Sequence, residues 1–174
     1  MDISKIGDDG KRHFRINVTK TRPANTTAYA AGDVISEDDS SGTTWTFDAI
    51  VPSNGGSGYI TKASLIDDET GNTWSGTLLL YSVTTTGNNN DNAANTGPVA
   101  ADADNFVGAI DFDALKDKGT GYSYASNPAG TGGLPLKFKC ESGDDALYGN
   151  LITNDAFTPT SGQIFRIILE GELA

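Results

Sequence analysis

The sequence predicts an all-β fold, a single-domain antiparallel β-sandwich or jelly roll of about eight or nine strands with long loops. Three observations lead to this prediction. Apolar and polar residues alternate with a period of two along several short segments. Turn-forming residues, including 21 glycines, separate these segments. No stretch of about 12 residues or more keeps a helical period with a cap at each end.

Two early segments show the alternation most clearly. Each places its apolar residues on one face: Phe14, Ile16 and Val18 in HFRINVTK, and Trp45, Phe47, Ala49 and Val51 in TTWTFDAIV. The opposite faces are polar, so each segment is expected to form a strand with one buried side.

Later segments vary in how strongly they alternate. GYITKASLI is less one-sided, because Ile60, Ser64 and Ile66 alternate with apolar residues as well. GTLLLYSV is almost entirely apolar, which predicts a strand that is covered on both faces. Further strands are predicted in NFVGAIDF, LPLKFKC, ALYGNLI and QIFRIILEGEL, and a short helix around DFDALKDKG.

The length of 174 residues fits one domain with a full hydrophobic core. Residues 1–11 are polar, and we expect them to form a flexible N-terminal arm, with residues 12–174 as the sandwich domain. Residues 84–105 form the longest loop, and a loop of that length is usually functional or poorly ordered. The string TAYAAGDVIS at residues 27–36 predicts a bend in which Gly32 has an unusual backbone angle or close packing.

The charge balance restricts the partners of the chain. There are 23 acidic and 12 basic residues, a formal net charge of −11, and an acidic surface repels nucleic-acid backbones. The basic residues are spread thinly, with Lys11, Arg12 and Arg15 as the densest group. No apolar run is long enough to span a membrane, and no signal peptide is evident, so we expect a soluble product of the cytoplasm.

Nucleophilic catalysis is not predicted. His13 is the sole histidine, on the polar face of the first predicted strand, and Cys140 is the sole cysteine, on an inward-facing position. A Cys–His pair needs contact between the two side chains, and opposite faces of a sheet prevent it. The chain also has no nucleophile-elbow motif and no phosphate-binding loop.

Acidic turns are the candidates for a metal, which would be calcium because it takes oxygen ligands from loops. They comprise Asp102 with Asp104, and the pairs Asp67–Asp68 and Asp144–Asp145. None matches the EF-hand pattern, and whether these loops bind calcium stays open. We therefore assign no catalytic, cofactor-binding or metal-binding residues and no cofactor.

The aromatic residues could alternatively form a platform for a sugar. Trp45 belongs to an inward-facing set and is expected in the core. Trp74, beside the turn DETGN, is the expected exposed aromatic. Tyr122 and Tyr124 alternate as in a strand and fit either the core or a contact surface.

Five strings together carry a resemblance to known proteins: ANTTAYAAGDVIS, GGSGYITKASLIDD, LLLYS, DNAANTGPVAADADNFVGAIDF and ALYGNLITNDAFTPTSGQIFRIILEGEL. Over roughly residues 12–173 they resemble a family of tailed-phage virion proteins that look like capsid decoration, or cement, proteins. The resemblance implies a β-sandwich or jelly roll, a trimer, and a position on the outside of a capsid shell. It brings no catalytic residues.

The function predicted from the sequence is therefore that of a non-enzymatic virion protein. It would bind the outer head surface as a symmetric oligomer, with the major capsid protein and further copies of itself as partners, and without nucleic acid or membrane. The alternative is a carbohydrate- or receptor-binding module of a phage head fibre or tail. A small hydrolase that uses loop carboxylates is the third hypothesis.

Overall fold

The computed structural model describes residues 10–119 and 121–174, and this part of the chain folds into two antiparallel β-sheets. The six-stranded sheet contains β1 (His13–Thr21), β4 (Ser57–Asp67), β7 (Lys116–Asp117), β8 (Ser123–Asn127), β9 (Leu136–Lys139) and β11 (Ile164–Leu173). The five-stranded sheet contains β2 (Val34–Ile35), β3 (Trp45–Phe47), β5 (Gly76–Tyr81), β6 (Phe106–Phe112) and β10 (Leu147–Thr153). The prediction of an all-β antiparallel sandwich is confirmed.

In the six-stranded sheet, β11 lies between β1 and β4. On its other side, β4 pairs with β9 along its first half and with β8 along its second half. Strand β7 extends the sheet beyond β8. In the five-stranded sheet, β10 pairs with β2 and β3 on one side and with β5 on the other, and β6 forms the edge. Most neighbouring strands are therefore distant in the sequence; the exceptions among the described residues are the consecutive pairs β5–β6 and β7–β8.

The core forms between the inner faces of the two sheets. The predicted inward face of β1 is confirmed, since Phe14 and Ile16 are buried. Phe165 and Ile167 of β11 are buried with them, together with Trp45 and Leu78 of the other sheet. Burial of such side chains stabilises the fold by about 25 cal/mol per Å² of apolar surface. The period-two pattern therefore identifies the inner faces correctly.

Strand β5 is covered on both faces, as its apolar run predicts. Leu78 and Leu80 point into the main core, whereas Leu79 and Tyr81 belong to a smaller apolar cluster on the outer side of the five-stranded sheet. Tyr81 contacts the ring of Phe106, with 5.4 Å between the ring centroids. The outer side of this sheet is thus partly closed by the chain itself.

The mixed pattern of β4 has a local cause. Thr61 is an extra residue between the pairs that Ile60 and Lys62 make with β11, which is a β-bulge. As a result Ile60 and Ala63 both face the core. The expectation that Ile60 shares a face with Ser64 is therefore wrong, because a bulge shifts the alternation by one residue.

Two predictions of local structure are wrong. The segment at 111–119 is not a helix: its first residues end β6, and Lys116–Asp117 pair with β8. The helical turn that the described residues do contain is a 3-10 helix at Ala100–Asn105. Strand β3 is also shorter than predicted, because Ala49 has a φ of 54° and turns the chain after Phe47.

The long loop at 84–105 is attached to β2. The Val34 N–H donates to the carbonyl of Ala93 over 2.9 Å, and the Asn92 N–H donates to the carbonyl of Val34 over 2.9 Å. The loop therefore pairs with β2 and covers a sheet edge that would otherwise expose unpaired backbone groups. Within the described residues no helix is long and apolar enough to cross a membrane.

The predicted bend at 27–36 is present. Gly32 has a φ of +93°, a value that favours glycine, and β2 begins two residues later. The expectation of an N-terminal arm concerns residues 1–11, of which residues 1–9 lie outside the described part of the chain. The side chain of Lys11 forms an ion pair with Glu172 at the end of β11.

Candidate interaction surface

The two residues considered for nucleophilic catalysis belong to different faces. His13 lies on β1 opposite Glu172, on the side of the strand that faces away from Phe14. Cys140 is 2% exposed and belongs to the core. Burial, with the nearby carboxylates of Asp144 and Asp145, raises the pKa of Cys140 to about 12. The thiol therefore stays protonated near neutral pH and acts as an apolar core group.

Both carboxylates of the acidic pair Asp67–Asp68 accept hydrogen bonds from other parts of the chain. Asp67 is buried and accepts hydrogen bonds from Trp74 Nε1 at 2.9 Å, Asn72 Nδ2 at 2.8 Å and Gln163 Nε2 at 2.5 Å. Burial raises the pKa of Asp67, and these hydrogen bonds oppose the rise. Asp68 accepts a hydrogen bond from the backbone N–H of Ile164. Both carboxylates therefore hold neighbouring segments of the chain.

This arrangement also corrects the expectation for Trp74. Its side chain is 3% exposed, not a surface aromatic, and its ring stacks on Phe157 with 4.8 Å between the centroids. Trp45 is buried as predicted, and its Nε1 donates to the carbonyl of Ile35. Neither tryptophan is placed to stack on a sugar.

The carboxylates Asp102 and Asp144 of the other acidic turns also accept hydrogen bonds. Asp102 accepts hydrogen bonds from Thr85 Oγ1 at 2.6 Å and from the N–H of Thr86, and Asp144 accepts one from the hydroxyl of Tyr148 at 2.6 Å. Asp104 is exposed. Within the described residues no group of three or more His, Cys, Asp or Glu side chains is arranged to hold a metal ion. The acidic loops are instead closed by their own hydrogen bonds.

A buried ionic network was not predicted from the sequence. Arg22 forms an ion pair of 3.3 Å with Asp91, and the hydroxyl of Tyr29 donates to the same carboxylate over 2.6 Å. The N–H of Ser36 donates to Asp91 as well. The network is closed to solvent and joins the end of β1, the bend and the long loop. Its role is structural, because no reacting molecule can reach it.

The outer side of the six-stranded sheet is the candidate functional surface, and we call it the basic sheet face. Seven basic side chains lie on this side or its margin: Lys11, Arg15, Lys62, Lys116, Lys137, Lys139 and Arg166. Two acidic side chains accompany them, Glu170 and Glu172. Six of these basic side chains lie on the strands themselves, against the two acidic ones, which gives the outer side of the strands a local charge of +4 in a chain of −11. The margins add Lys11 and also the exposed carboxylates of Asp68 and Glu141.

The rest of the described surface carries few basic groups. The strands of the five-stranded sheet contain no Lys or Arg. Lys20 and Arg22 are buried, and the other exposed basic residues that the structure describes are Arg12 and Lys118. The statement that the basic residues are spread thinly is thus true of the sequence but wrong for the folded chain.

Strand pairing concentrates these charges. Glu170 of β11 accepts from Arg15 Nε and Lys62 Nζ, each at 3.1 Å, although these partners lie 155 and 108 residues away in the sequence. The antiparallel register places the three side chains in one row across β1, β11 and β4. Because the row is exposed, its ion pairs contribute little to the stability of the fold. The row matters as part of the surface that a partner could contact.

Exposed tyrosines extend the basic sheet face. Tyr122 is 54% exposed, and its ring lies 6.1 Å from the ring of Tyr124, while Tyr59 is 40% exposed. The two paired rings border a shallow groove of about 220 Å³, across whose floor the hydroxyls of Ser64 and Ser126 are 3.0 Å apart. Tyr and Arg are enriched at protein interfaces whereas Lys is depleted, so the tyrosines and the two arginines, more than the five lysines, are the contact-type residues of this face.

A second, wider groove of about 470 Å³ lies between β6 and β9. It is bordered by Phe106, which is partly exposed, and by side chains of both charges: Asp104, Lys137, Lys139 and Glu141. Positive and negative side chains line the groove in equal number, and Cys140, the thiol beside it, is buried. It therefore offers less for recognition than the basic sheet face.

Comparison with known proteins assigns no family: no family model matches the chain, and no significantly similar curated protein was found.

Proposed function

We propose that the chain is a non-enzymatic phage virion protein, a capsid decoration or cement protein that binds the outer head surface as a symmetric oligomer and stabilises the shell. The support is the resemblance of its sequence strings to such proteins, together with a β-sandwich fold of the kind that the resemblance implies. The observation that carries the proposal is the basic sheet face, a tyrosine-containing surface that is exposed among the described residues of an otherwise acidic molecule.

The basic sheet face suits binding to another protein because its backbone is already ordered. The side chains project from paired strands, so little backbone entropy is lost when a partner covers them, and the remaining cost is about 0.5–1.5 kcal/mol for each lysine or arginine side chain that becomes ordered. Tyr122 offers apolar area with few rotatable bonds, and the flanking basic side chains select an acidic surface. A rigid sheet also transmits force with little deformation, as a cement between shell subunits requires.

A symmetric oligomer increases the strength of attachment. Several weak contacts to neighbouring capsid subunits combine into strong binding, since each later contact is intramolecular. The partners in this proposal are the major capsid protein and further copies of this chain, as a homotrimer, after synthesis in the host cytoplasm. The acidic remainder of the surface would keep neighbouring oligomers apart on the head.

The direct test is to mix the protein with undecorated heads and to examine them by cryo-electron microscopy and by heat inactivation. We expect stoichiometric density at symmetry axes and heads that withstand higher temperature. The variant Arg166→Glu should reduce occupancy, whereas Ser53→Glu/Thr84→Glu, which changes the net charge equally at exposed positions off the face, should not. Heads that stay bare and equally heat-sensitive would disprove the proposal.

A carbohydrate- or receptor-binding module is the second candidate, and one observation favours it. The ring of Tyr122 is exposed beside Tyr124 and the Ser64–Ser126 hydroxyl pair, which together offer a stacking ring and hydrogen-bonding groups. A glycan array distinguishes the two functions. A reproducible hit that Tyr122→Ala removes would favour the module, and an array without hits would favour the cement protein.

A further inference from the structure

The wider groove, of about 470 Å³, lies where an edge of one sheet meets an edge of the other. Strand β6 is the last strand of the five-stranded sheet, and among the described residues β9 pairs with β4 alone. The side chains around the groove have balanced charges, so recognition there depends on the backbone. An unpaired strand edge is a template for a further strand.

The strand register shows which backbone groups of β9 face the groove. The N–H of Cys140 donates to the carbonyl of Gly56 over 2.9 Å, so the backbone groups of Cys140 are directed towards β4. Alternate residues of an antiparallel strand face opposite edges, so Phe138 also faces β4, whereas Lys137 and Lys139 face away from it. Within the described residues no hydrogen bond to another segment occupies the N–H and C=O groups of these two lysines.

The opposite wall of the groove is apolar. Phe106 is 38% exposed, and Val107 is partly buried. Val107 is an extra residue between the pairs that Phe106 and Gly108 make with β5, which is a β-bulge of the kind that redirects side chains at sheet edges. Further along β6, the N–H of Asp111 donates to the carbonyl of Gly132. A loop therefore covers β6 beyond the groove and leaves the wall at Phe106 and Val107 open.

We propose that this groove binds an extended segment of the capsid protein, in which acidic and apolar residues alternate, and that the segment adds a strand to β9. The proposal rests on the proposed function for the identity of the partner and adds the part of it that is recognised. The groove is continuous with the basic sheet face, because Lys137 and Lys139 belong to both. The rest of the face stays free to contact the same capsid surface.

Strand geometry specifies the alternation in the bound segment. Residues that lie directly opposite each other in an antiparallel pair have their side chains on the same side of the sheet. A residue opposite Lys137 or Lys139 therefore lies beside an exposed lysine side chain, which favours Glu or Asp. The residues between them point into the groove, where Phe106 and Val107 offer apolar contact. A partner that adds a strand gains affinity from main-chain hydrogen bonds, and only an extended segment can form them here.

A synthetic peptide tests the pairing in solution. The probe is an eight-residue peptide, blocked at both ends, in which Glu and Val alternate. The control peptide is N-methylated at each Glu, so it keeps every side chain but cannot donate to the carbonyls of β9. We expect the control to bind about tenfold more weakly, because it loses two hydrogen bonds and the methyl groups prevent close pairing. A peptide with Lys in place of Glu should also bind about tenfold more weakly.

Amide hydrogen exchange, measured by NMR on the native chain, identifies the site. At saturation with the probe, exchange at Lys137 and Lys139 should slow at least about tenfold. Exchange at Cys140, whose N–H already donates to Gly56, should change little. Contact through side chains alone would not produce this alternation.

Undecorated heads test the identity of the occupant. Lys139→Pro removes an N–H that faces the groove, at an edge position where proline is tolerated. Lys139→Gln is the matched control, which loses the charge and keeps the N–H, and urea unfolding confirms that both variants are folded. We expect Lys139→Pro to bind heads about tenfold more weakly than Lys139→Gln. Cryo-electron microscopy of heads with the native chain should show an added strand beside β9.

Other outcomes overturn the inference. Equal binding of the probe and its N-methylated control contradicts it, as does unchanged exchange at Lys137 and Lys139. If heads are decorated equally by the native chain and by folded Lys139→Pro, the cement function stands and this occupant of the groove is wrong. If the probe pairs with β9 but heads stay bare, the strand-binding groove stands and the cement function is wrong.

Discussion

The indole Nε1 of Trp74 donates a hydrogen bond of 2.9 Å to the carboxylate of Asp67, and both side chains are buried. In the sequence these residues had separate interpretations, one as the expected exposed aromatic and the other as part of a candidate calcium-binding turn. In the fold the indole N–H of Trp74 and the carboxylate of Asp67 are hydrogen-bond partners of each other. The pair sits at the end of β4, next to the stack of Trp74 on Phe157, and it contributes to the core and not to a surface site.

Removing the indole donor should destabilise the protein. In Trp74→Phe the carboxylate of Asp67 loses one of its donors in a buried position, which costs about 1–3 kcal/mol. The change in the free energy of unfolding is measured by urea denaturation. Tyr122→Phe, which alters an exposed ring, is the control and should leave stability within about 0.5 kcal/mol of the native value. Equal stabilities of the two variants would contradict the structural role of the pair.

Breaking the ion pair between Arg22 and Asp91 should destabilise the protein more than Trp74→Phe does. Arg22→Met leaves a buried carboxylate without its counter-ion, and breaking a buried ion pair on one side costs about 3–5 kcal/mol. Thermal and urea unfolding measure this loss. In Arg22→Met/Asp91→Leu no unpaired charge remains, so the double variant should be more stable than Arg22→Met. A double variant that loses the sum of two large effects would show that the pair is not coupled.

Glu37 should make stability depend on pH in the acidic range. Burial acts to raise its pKa, but hydrogen bonds from Lys20, Thr43 and Ser36 outweigh burial and lower the pKa to about 2. Because the folded-state pKa lies below the ordinary value of 4.5, the stabilisation is present above pH 4.5 and is lost as the pH falls through about 2.

The variant Glu37→Gln isolates this contribution. Its melting temperature should lie below that of the native chain at neutral pH, and the difference should shrink as the pH falls from about 5 to about 2. Circular dichroism melts at a series of pH values measure it. A difference that is constant over this range would show that the carboxylate charge of Glu37 does not contribute.

Two glycines should respond differently to alanine. Gly32 has a φ of +93° and no atom within 4 Å of the position of an added Cβ, so Gly32→Ala adds only backbone strain of about 1–2 kcal/mol. At Gly42 the added Cβ would lie 2.1 Å from the carbonyl oxygen of Asn89. Gly42→Ala must move the long loop and should cost more than Gly32→Ala, up to about 3 kcal/mol.

Urea denaturation of the two variants compares these costs directly. The order of stability should be native, Gly32→Ala and then Gly42→Ala. The reverse order would show that the loop at 84–105 yields more easily than the bend. This comparison also tests the function of the long loop as a cover for β2, since its displacement should expose that strand edge.

The strand alternation could be predicted because it depends on neighbours in the sequence. Phe14 and Ile16 of β1 were placed on the apolar face from period two alone, and β5 was recognised as covered on both faces. The bulge at Thr61 was missed because a single extra residue has no compositional signal. Strand β7 was missed for a related reason, since a strand of two residues is too short to show a period.

The amino-acid sequence by itself determined the fold class and the inner faces of the main strands, because side-chain alternation and turn residues act over a few neighbouring positions. The tertiary structure decided where charge accumulates. Arg15, Lys62 and Arg166 lie far apart in the chain, and only the register of β1, β11 and β4 places them on one face. It also decided that Trp74 and Asp67 satisfy each other, since burial and hydrogen bonding depend on segments that meet only after folding.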